Sequence, residues 1–358
     1  MRLRGWMALF LLGCGHSEPF VTSGLQELGP LVPGPEARIA GGGGMTWTED
    51  GAGLTYFYSS GCYSYAPFVN RMRYPPESVF IAGIALLPST GGSVKWERCE
   101  LGAPFITGSD SSVSIPSAAM GSGGRLLYVE RISARLHGDG HDHFPAYYHV
   151  DLFLGDSSRP LNTSSKLLTL FRERTGVATV PPAGINLLTR LAWAGRDGFI
   201  GEGYQFQPDG SQVYLGLIRG TIASNSAALA AIPGTADTHR WTLAESGTSV
   251  VFADDSLILR REAFTGGAVT VVGTIPPGAR RNIIDVSCRE ALCLVLTNED
   301  AIFPPRISTF WTVSLSTGAV TLLRTDQKTY SSAKLSPGSN VVLVGESDGM
   351  HLFSELLH

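Results

Sequence analysis

Apolar and polar positions along this chain fall into short runs separated by turn residues. Phe310-Trp311-Thr312-Val313-Ser314-Leu315 alternates and is followed by Ser316-Thr317-Gly318, and Ala319-Val320-Thr321-Leu322-Leu323 returns. Ser336-Pro337-Gly338 then precedes Asn340-Val341-Val342-Leu343-Val344-Gly345, and Met350 to Glu355 ends the series. Runs of this length and period, bounded by Gly, Pro, Asp and Ser, predict β-strands joined by tight turns. The same phrase recurs upstream. First-hairpin turns are predicted at Thr46–Gly51, Gly121–Gly124, Trp193–Gly198, Ala244–Gly247, Cys288–Leu292 and Ser336–Ser339. The last three intervals fall in the range of about 40–50 residues expected of a four-stranded repeat. The first two are longer, and each holds an insertion, residues 59–78 and 134–146. A competing frame places the third turn at Pro208-Asp209-Gly210, but it makes the spacing erratic.

Composition sharpens the fold class to all-β. Glycine is abundant at 43 residues and charged residues make up only 16%, which favours strands and turns over helices. The net charge of −4 is mild, and no basic stripe with interleaved aromatics is present, so a nucleic-acid partner is not expected. Six repeats leave the sixth with three strands and no chain for a fourth. The segment Leu25–Ile39, ahead of the first repeat, is the expected fourth strand; its prolines at 30, 33 and 35 suit a sheet edge. The Ser-Pro-Gly turn at 336–338 and the hairpin end Leu315-Ser316-Thr317-Gly318 resemble those of TolB-like and WD-repeat-like six-bladed β-propellers, over most of residues 40–358. The resemblance implies a single six-bladed propeller domain, residues 24–358, closed by an N-terminal strand. It is architectural and implies no activity.

The first residues read as an address rather than as part of the fold. Arg2 and Arg4 precede the apolar run Met7–Leu12, the pattern of a signal peptide, too short to span a bilayer as a mature helix. Leu11-Leu12-Gly13-Cys14 resembles the lipobox of bacterial lipoproteins, which implies a signal peptide of residues 1–13 and lipidation at Cys14. The alternative is an ordinary secretory signal with an incidental cysteine. Loss of Arg2 and Arg4 would leave 25 basic against 31 acidic residues, a charge of −6. Residues 14–23 then serve as lipidated cysteine and tether. The expected location is the cell envelope, anchored by lipid only, on the periplasmic side of the outer membrane or at the cell surface. Gly15 after the cysteine fits outer-membrane sorting in a Gram-negative host.

Four further cysteines, Cys62, Cys99, Cys288 and Cys293, form an even set in an oxidising compartment. Three pairings are open. Cys288 and Cys293 enclose a four-residue loop and can face each other across a hairpin, which would leave Cys62 to staple the first insertion to Cys99; buried free thiols are the alternative. Candidate chemistry is sparse. His137, Asp139, His141 and His143, with His149 beyond, could converge on a transition metal, or could simply keep a surface insertion solvated. No cofactor is otherwise implied. The pairs Asp254-Asp255 and Glu299-Asp300 read as turn residues beside strand ends, since adjacent strand side chains face opposite ways. No Gly-x-Ser-x-Gly nucleophile turn is present, and the run Gly41–Gly44 lacks the lysine and helix of a phosphate loop. Tyr63, Tyr65, Phe68, Arg71, Arg73 and Tyr74 in the first insertion are interface-type residues, unless the insertion packs on its own repeat. The expected function is a non-enzymatic scaffold that binds an envelope protein partner through one face. The alternative is a ligand-binding or metal-assisted enzyme using the central channel and the histidine loop.

Overall fold

The computed structural model describes residues 25–30, 45–51, 53–58, 81–88, 96–101, 109–136, 147–159, 163–174, 184–207, 211–254, 258–263, 268–278, 281–299, 306–337, 341–346 and 349–355. Among them the strands form six four-stranded antiparallel sheets. The first sheet holds β2 (Met45–Trp47), β3 (Gly53–Tyr58), β4 (Ile81–Pro88) and β5 (Trp96–Leu101). The second holds β6 (Ser109–Met120), β7 (Arg125–Leu136), β8 (Tyr147–Asp156) and β9 (Ser165–Arg174). The third is β10 (Leu187–Trp193), β11 (Gly198–Phe206), β12 (Gln212–Ala223) and β13 (Ser226–Ala231). The fourth is β14 (Arg240–Ala244), β15 (Ser249–Ala253), β16 (Ile258–Ala263) and β17 (Thr270–Thr274). The fifth is β18 (Arg281–Arg289), β19 (Leu292–Glu299), β20 (Ile307–Ser314) and β21 (Val320–Asp326). The sixth takes β22 (Ser332–Leu335), β23 (Val341–Glu346) and β24 (Gly349–Glu355) from the C-terminal end, and β1 (Leu25–Pro30) as its fourth strand.

The six first-hairpin turns fall where the sequence pattern predicts them. Each sheet's first and second strands are joined across residues 48–52, 121–124, 194–197, 245–248, 290–291 and 336–340. The reason is local: Gly51, Gly123, Gly124, Gly195 and Gly247 all take positive φ at these turns, a backbone conformation that glycine adopts at least cost. Pro208-Asp209-Gly210 lies instead between the second and third strands of its sheet. The fourth strand of the last sheet lies within the predicted Leu25–Ile39 segment, of which residues 31–39 are outside the described residues. It pairs with β24 from Leu25 opposite Glu355 to Pro30 opposite His351.

Apolar side chains fill the spaces between adjoining sheets. Leu127, Val129, Val150 and Leu152 of the second sheet are buried with Leu187, Leu188, Phe199 and Ile218 of the third. Trp241, Val250 and Phe252 of the fourth bury Ile200 and Leu217 of the third. Val286, Val295, Trp311 and Val313 of the fifth pack with Ala244 and Val251 of the fourth. Leu294, Leu296 and Phe310 of the fifth meet Leu25, Ala333, Val342 and Val344 of the sixth. Each fully buried aliphatic or aromatic side chain contributes roughly 1.5–3 kcal/mol to this assembly. The packing is close enough to require glycine at Gly220, where the Phe199 ring lies 2.0 Å from the position a Cβ would occupy.

The first strands also pack on one another, β6 against β10, β14 against β18 and β18 against β22. Side chains satisfy the N–H groups these strands turn toward their neighbours. Leu191 N donates to Ser117 Oγ at 2.8 Å, Cys288 N to Thr242 Oγ1 at 3.4 Å and Leu335 N to Ser287 Oγ at 2.9 Å. Two tryptophans reach back the same way: Trp193 Nε1 donates to Ala119 O at 3.1 Å, and Trp47 Nε1 to Lys334 O at 2.9 Å. The latter bond ties the first sheet to the sixth. At the periphery, Arg324 Nη1 on β21 donates to Leu25 O on β1 at 3.1 Å.

Candidate functional site

Among the described residues, two ion pairs stand at seams between adjoining sheets, and an aromatic cluster extends from one of them to the surface. The first pair begins with a bulge in β10. Its register against β11 shifts between Thr189 and Ala192, and Arg190 adopts φ 48°, a left-handed conformation that costs a non-glycine residue about 1–2 kcal/mol. Ordering the guanidinium offsets this cost. Arg190 Nη1 donates to Glu202 Oε1 at 2.9 Å and to His239 O at 2.5 Å, while Nη2 reaches Trp241 O at 3.4 Å. The group also lies 5.5 Å from the Trp241 ring centroid, within cation–π range.

Glu202 is buried, its side chain only 6% exposed. Besides Arg190 it accepts from Trp241 Nε1 at 3.0 Å, Tyr204 Oη at 3.1 Å and Thr189 Oγ1 at 3.3 Å. A buried carboxylate so fully supplied with donors holds position rather than reacts. It fastens the third sheet to the fourth.

Tyr204, Tyr214 and His239 continue outward. The Tyr204 and Tyr214 rings are 5.3 Å apart, and Tyr214 lies 4.3 Å from the His239 ring at 32°. Tyr214 donates its hydroxyl to Thr238 O. Burial, followed by the negative charge of Glu202, pushes both phenols above their usual range, Tyr214 strongly. Both are therefore neutral donors at physiological pH. The connection that carries His239 is itself pinned: Thr235 Oγ1 accepts from Leu217 N at 2.9 Å and donates to Ile232 O at 2.7 Å. His239 is exposed, so a rigid aromatic platform reaches solvent beside Arg190.

The second pair joins the fifth sheet to the sixth. Lys334 Nζ on β22 lies 2.6 Å from Asp285 Oδ1 on β18. Asp285 is itself held by Ala333 N at 3.0 Å and Val286 N at 3.0 Å. The Asp285 side chain is 5% exposed, whereas that of Lys334 keeps 24%. Burial pulls the Lys334 ammonium below its usual range, and Asp285 opposes the shift. Arg190 lowers it further and Glu202 raises it, so the two ion pairs feel each other although they stand on different sheets.

Of the residues expected from sequence, Cys288 and Cys293 are joined in a disulfide, directly opposite each other across β18 and β19. Cys99 lies on β5 in register with Gly83; its side chain and all of Cys62 are outside the described residues. So are Cys14, the candidate metal ligands His137, Asp139, His141 and His143, and the candidate interface residues Tyr63, Tyr65, Phe68, Arg71, Arg73 and Tyr74. Their insertions span the connections β3–β4, residues 59–80, and β7–β8, residues 137–146. His149 is on β8, where its Nε2 lies 3.0 Å from Asp151 Oδ2, and Thr169 Oγ1 donates to Asp151 Oδ1 at 2.7 Å. Among the described residues no group of three His, Cys, Asp or Glu could hold a metal ion. Glu299 is not a turn residue: it ends β19 and pairs with Arg281 at 2.5 Å. Sequence reasoning missed Arg190, Glu202, Asp285 and Lys334. The available signal was a lone carboxylate inside an apolar strand, Gly201-Glu202-Gly203 and Ile283-Ile284-Asp285-Val286.

No family model and no curated protein matches the chain. Among solved structures it is similar to the β-propeller domain of Cps50 (Swd1) from Myceliophteria thermophila, with 10% identity, 88% of this chain and 96% of that one covered, and a TM-score of 0.45. It is also similar to a chain of the mitotic checkpoint complex, with 10% identity, coverage of 99% and 100%, and a TM-score of 0.43. At these values the likeness carries no argument about function.

Proposed function

We propose that the six sheets are the blades of one β-propeller, its ring closed through β1, and that the protein is a lipid-anchored envelope scaffold holding a protein partner on one face. The packing of successive first strands, the Trp47–Lys334 bond between first and sixth sheets and the pairing of β1 with β24 support the ring. Anchoring rests on the lipobox-like run ending at Cys14.

One observation carries the choice of face. The two longest connections within a sheet, residues 59–80 and 137–146, both join second to third strands, and they do so in neighbouring sheets. Antiparallel alternation puts all such connections at one end of the strands, together with the fourth-to-first connections. Tyr214, near the start of β12, and His239, just ahead of β14, belong to that end. Extended loops, tyrosines and an arginine gathered at one end match the composition of protein-binding surfaces.

Crosslinked co-purification of the lipidated protein from its native envelope tests this reading. A stoichiometric partner crosslinked through residues 59–80 or 137–146 is expected. Crosslinks confined to the first-hairpin turns at 121–124, 194–197 and 245–248 would place the partner on the opposite end and refute it. Closure has its own test. Deleting residues 25–30 exposes the β24 edge and the core around Leu25, and a fall of at least about 4 °C in melting temperature, roughly 3 kcal/mol or more, is expected; an unchanged transition would contradict closure through β1.

A further inference from the structure

Four large apolar side chains stand exposed among the described residues: Val213 at 46%, Val269 at 43%, Val271 at 63% and Leu322 at 45%. Three of them belong to the outer strands of two adjoining sheets. Val271 is on β17, with Val269 just ahead of it, and Leu322 is on β21. The two strands meet: a Cβ at Gly273 would lie 2.7 Å from Val313 and 3.5 Å from Val320, and one at Gly318 would lie 2.9 Å from Val272 O. Residues 263–279 and 307–323 carry no charged side chain, whereas the outer strands β5 and β9 carry charges of both signs. The outer strand of the next sheet is β1, where Arg324 of β21 donates to Leu25 O at 3.1 Å. Arg324 is itself paired with Asp326 at 2.6 Å. Leu322 thus lies on the same strand as the contact that receives the chain at Leu25.

We propose that the surface formed by Val269, Val271 and Leu322 rests on the lipid bilayer beside the anchor. This contact depends on the proposed lipidation of Cys14 and gives the anchored protein an orientation. Residues 14–24 span at most about 40 Å even when fully extended, so an acyl group at Cys14 holds Leu25 and the neighbouring β21 within that reach of the bilayer. A protein partner is the other candidate occupant, and the composition disfavours it. Val, Leu and Thr are under-represented among residues that anchor protein interfaces, whereas the tyrosine and arginine of the proposed binding face are enriched there. A charge-free apolar surface also leaves no ionised group to desolvate. The contact is shallow. β17 and β21 each end their sheet, and backbone groups along an open edge need water, so the strands stay at headgroup level while the side chains reach below it. Contact through outer strands leaves both ends of the strands open, and with them the proposed partner face.

The mature lipidated protein in vesicles of phosphatidylethanolamine and phosphatidylglycerol, labelled with an environment-sensitive fluorophore at Val271→Cys, Leu322→Cys or Val213→Cys, tests the proposal. The unsubstituted chain gives the background from its own cysteines. Doxyl-labelled lipid is expected to remove at least about half of the emission at positions 271 and 322, because a shallow contact lies within about 5–10 Å of the headgroup boundary. Position 213 should be unaffected, and the quenching should persist in high salt because the surface is uncharged. Mass mapping of the N-terminal peptide reads acylation of Cys14 separately. An acylated protein that floats with the vesicles, yet is quenched no more at 271 and 322 than at 213, would overturn the contact while the anchor stands. Unmodified Cys14, with protein left in solution, would overturn both. Probes silent in vesicles but shielded in native envelope would assign the surface to a protein partner and overturn the bilayer contact.

Discussion

The Arg190–Glu202 and Lys334–Asp285 pairs are close enough to influence each other electrostatically, yet they are built for different ends. Arg190 directs its donors to Glu202, His239 O and Trp241 O, and the Glu202 carboxylate accepts from four donors on two sheets. This pair is a fastening. Lys334 has one protein acceptor among the described residues, Asp285, although its side chain is less exposed than that of Arg190, 24% against 36%. An arginine can be satisfied completely and has no accessible neutral form, whereas a lysine shifts its pKa when it is desolvated. The same fold therefore joins its third and fourth sheets through a permanent charge and its fifth and sixth through one that burial shifts.

Substitutions separate the two. Glu202→Ala is expected to have the largest effect, a loss of about 3–5 kcal/mol in urea unfolding, because it leaves the Arg190 charge and the Trp241 and Tyr204 donors without their acceptor. A loss below about 1 kcal/mol would mean that the cluster does not hold the third and fourth sheets together. Asp285→Ala should cost less, about 1–3 kcal/mol, since Lys334 can turn to water while the Ala333 amide loses its acceptor. Replacing both members, Asp285→Asn with Lys334→Met, is expected to fall within about 1 kcal/mol of wild type. A penalty equal to that of Glu202→Ala would make Lys334–Asp285 a fastening too.

Alkaline titration is the mildest probe. The Lys334 pKa is lowered from 10.5, so between its folded value and 10.5 the unfolded chain binds more protons, and stability rises with pH across that window. Equivalently, this contribution is present above 10.5 and lost as pH falls through the folded value. Tyr204 and Tyr214 are raised from 10.0, so above pH 10 the unfolded chain ionises first and stability falls. Lys334→Met should flatten the rise, and Tyr214→Phe should soften the fall. Unfolding midpoints measured from pH 7 to 11 that respond to neither substitution would show that these groups titrate alike in folded and unfolded chains.

Much of the fold was legible because turns are written locally. Gly51, Gly123, Gly195 and Gly247 mark four first-hairpin turns through a backbone conformation that only glycine adopts readily. The Cys288–Cys293 pair was equally visible, since a five-residue separation across a tight hairpin brings two cysteines face to face. The ion pairs were not. Arg190 meets residues 12, 49 and 51 positions away, and Lys334 meets Asp285 at a separation of 49. No periodic pattern records contacts between strands of different sheets. Arg190 further depends on a bulge in β10, and the surrounding residues show no glycine at 190 to announce it.

The proposed binding face is the account's central claim, and site-specific photocrosslinking in the native envelope tests it most directly. A crosslinker at His239 reports on the end that carries the long connections, and one at Ser122 or Ser246 reports on the opposite end. The account predicts a defined partner band from His239 and none from Ser122 or Ser246. A band from the two serine positions, with His239 silent, would contradict it.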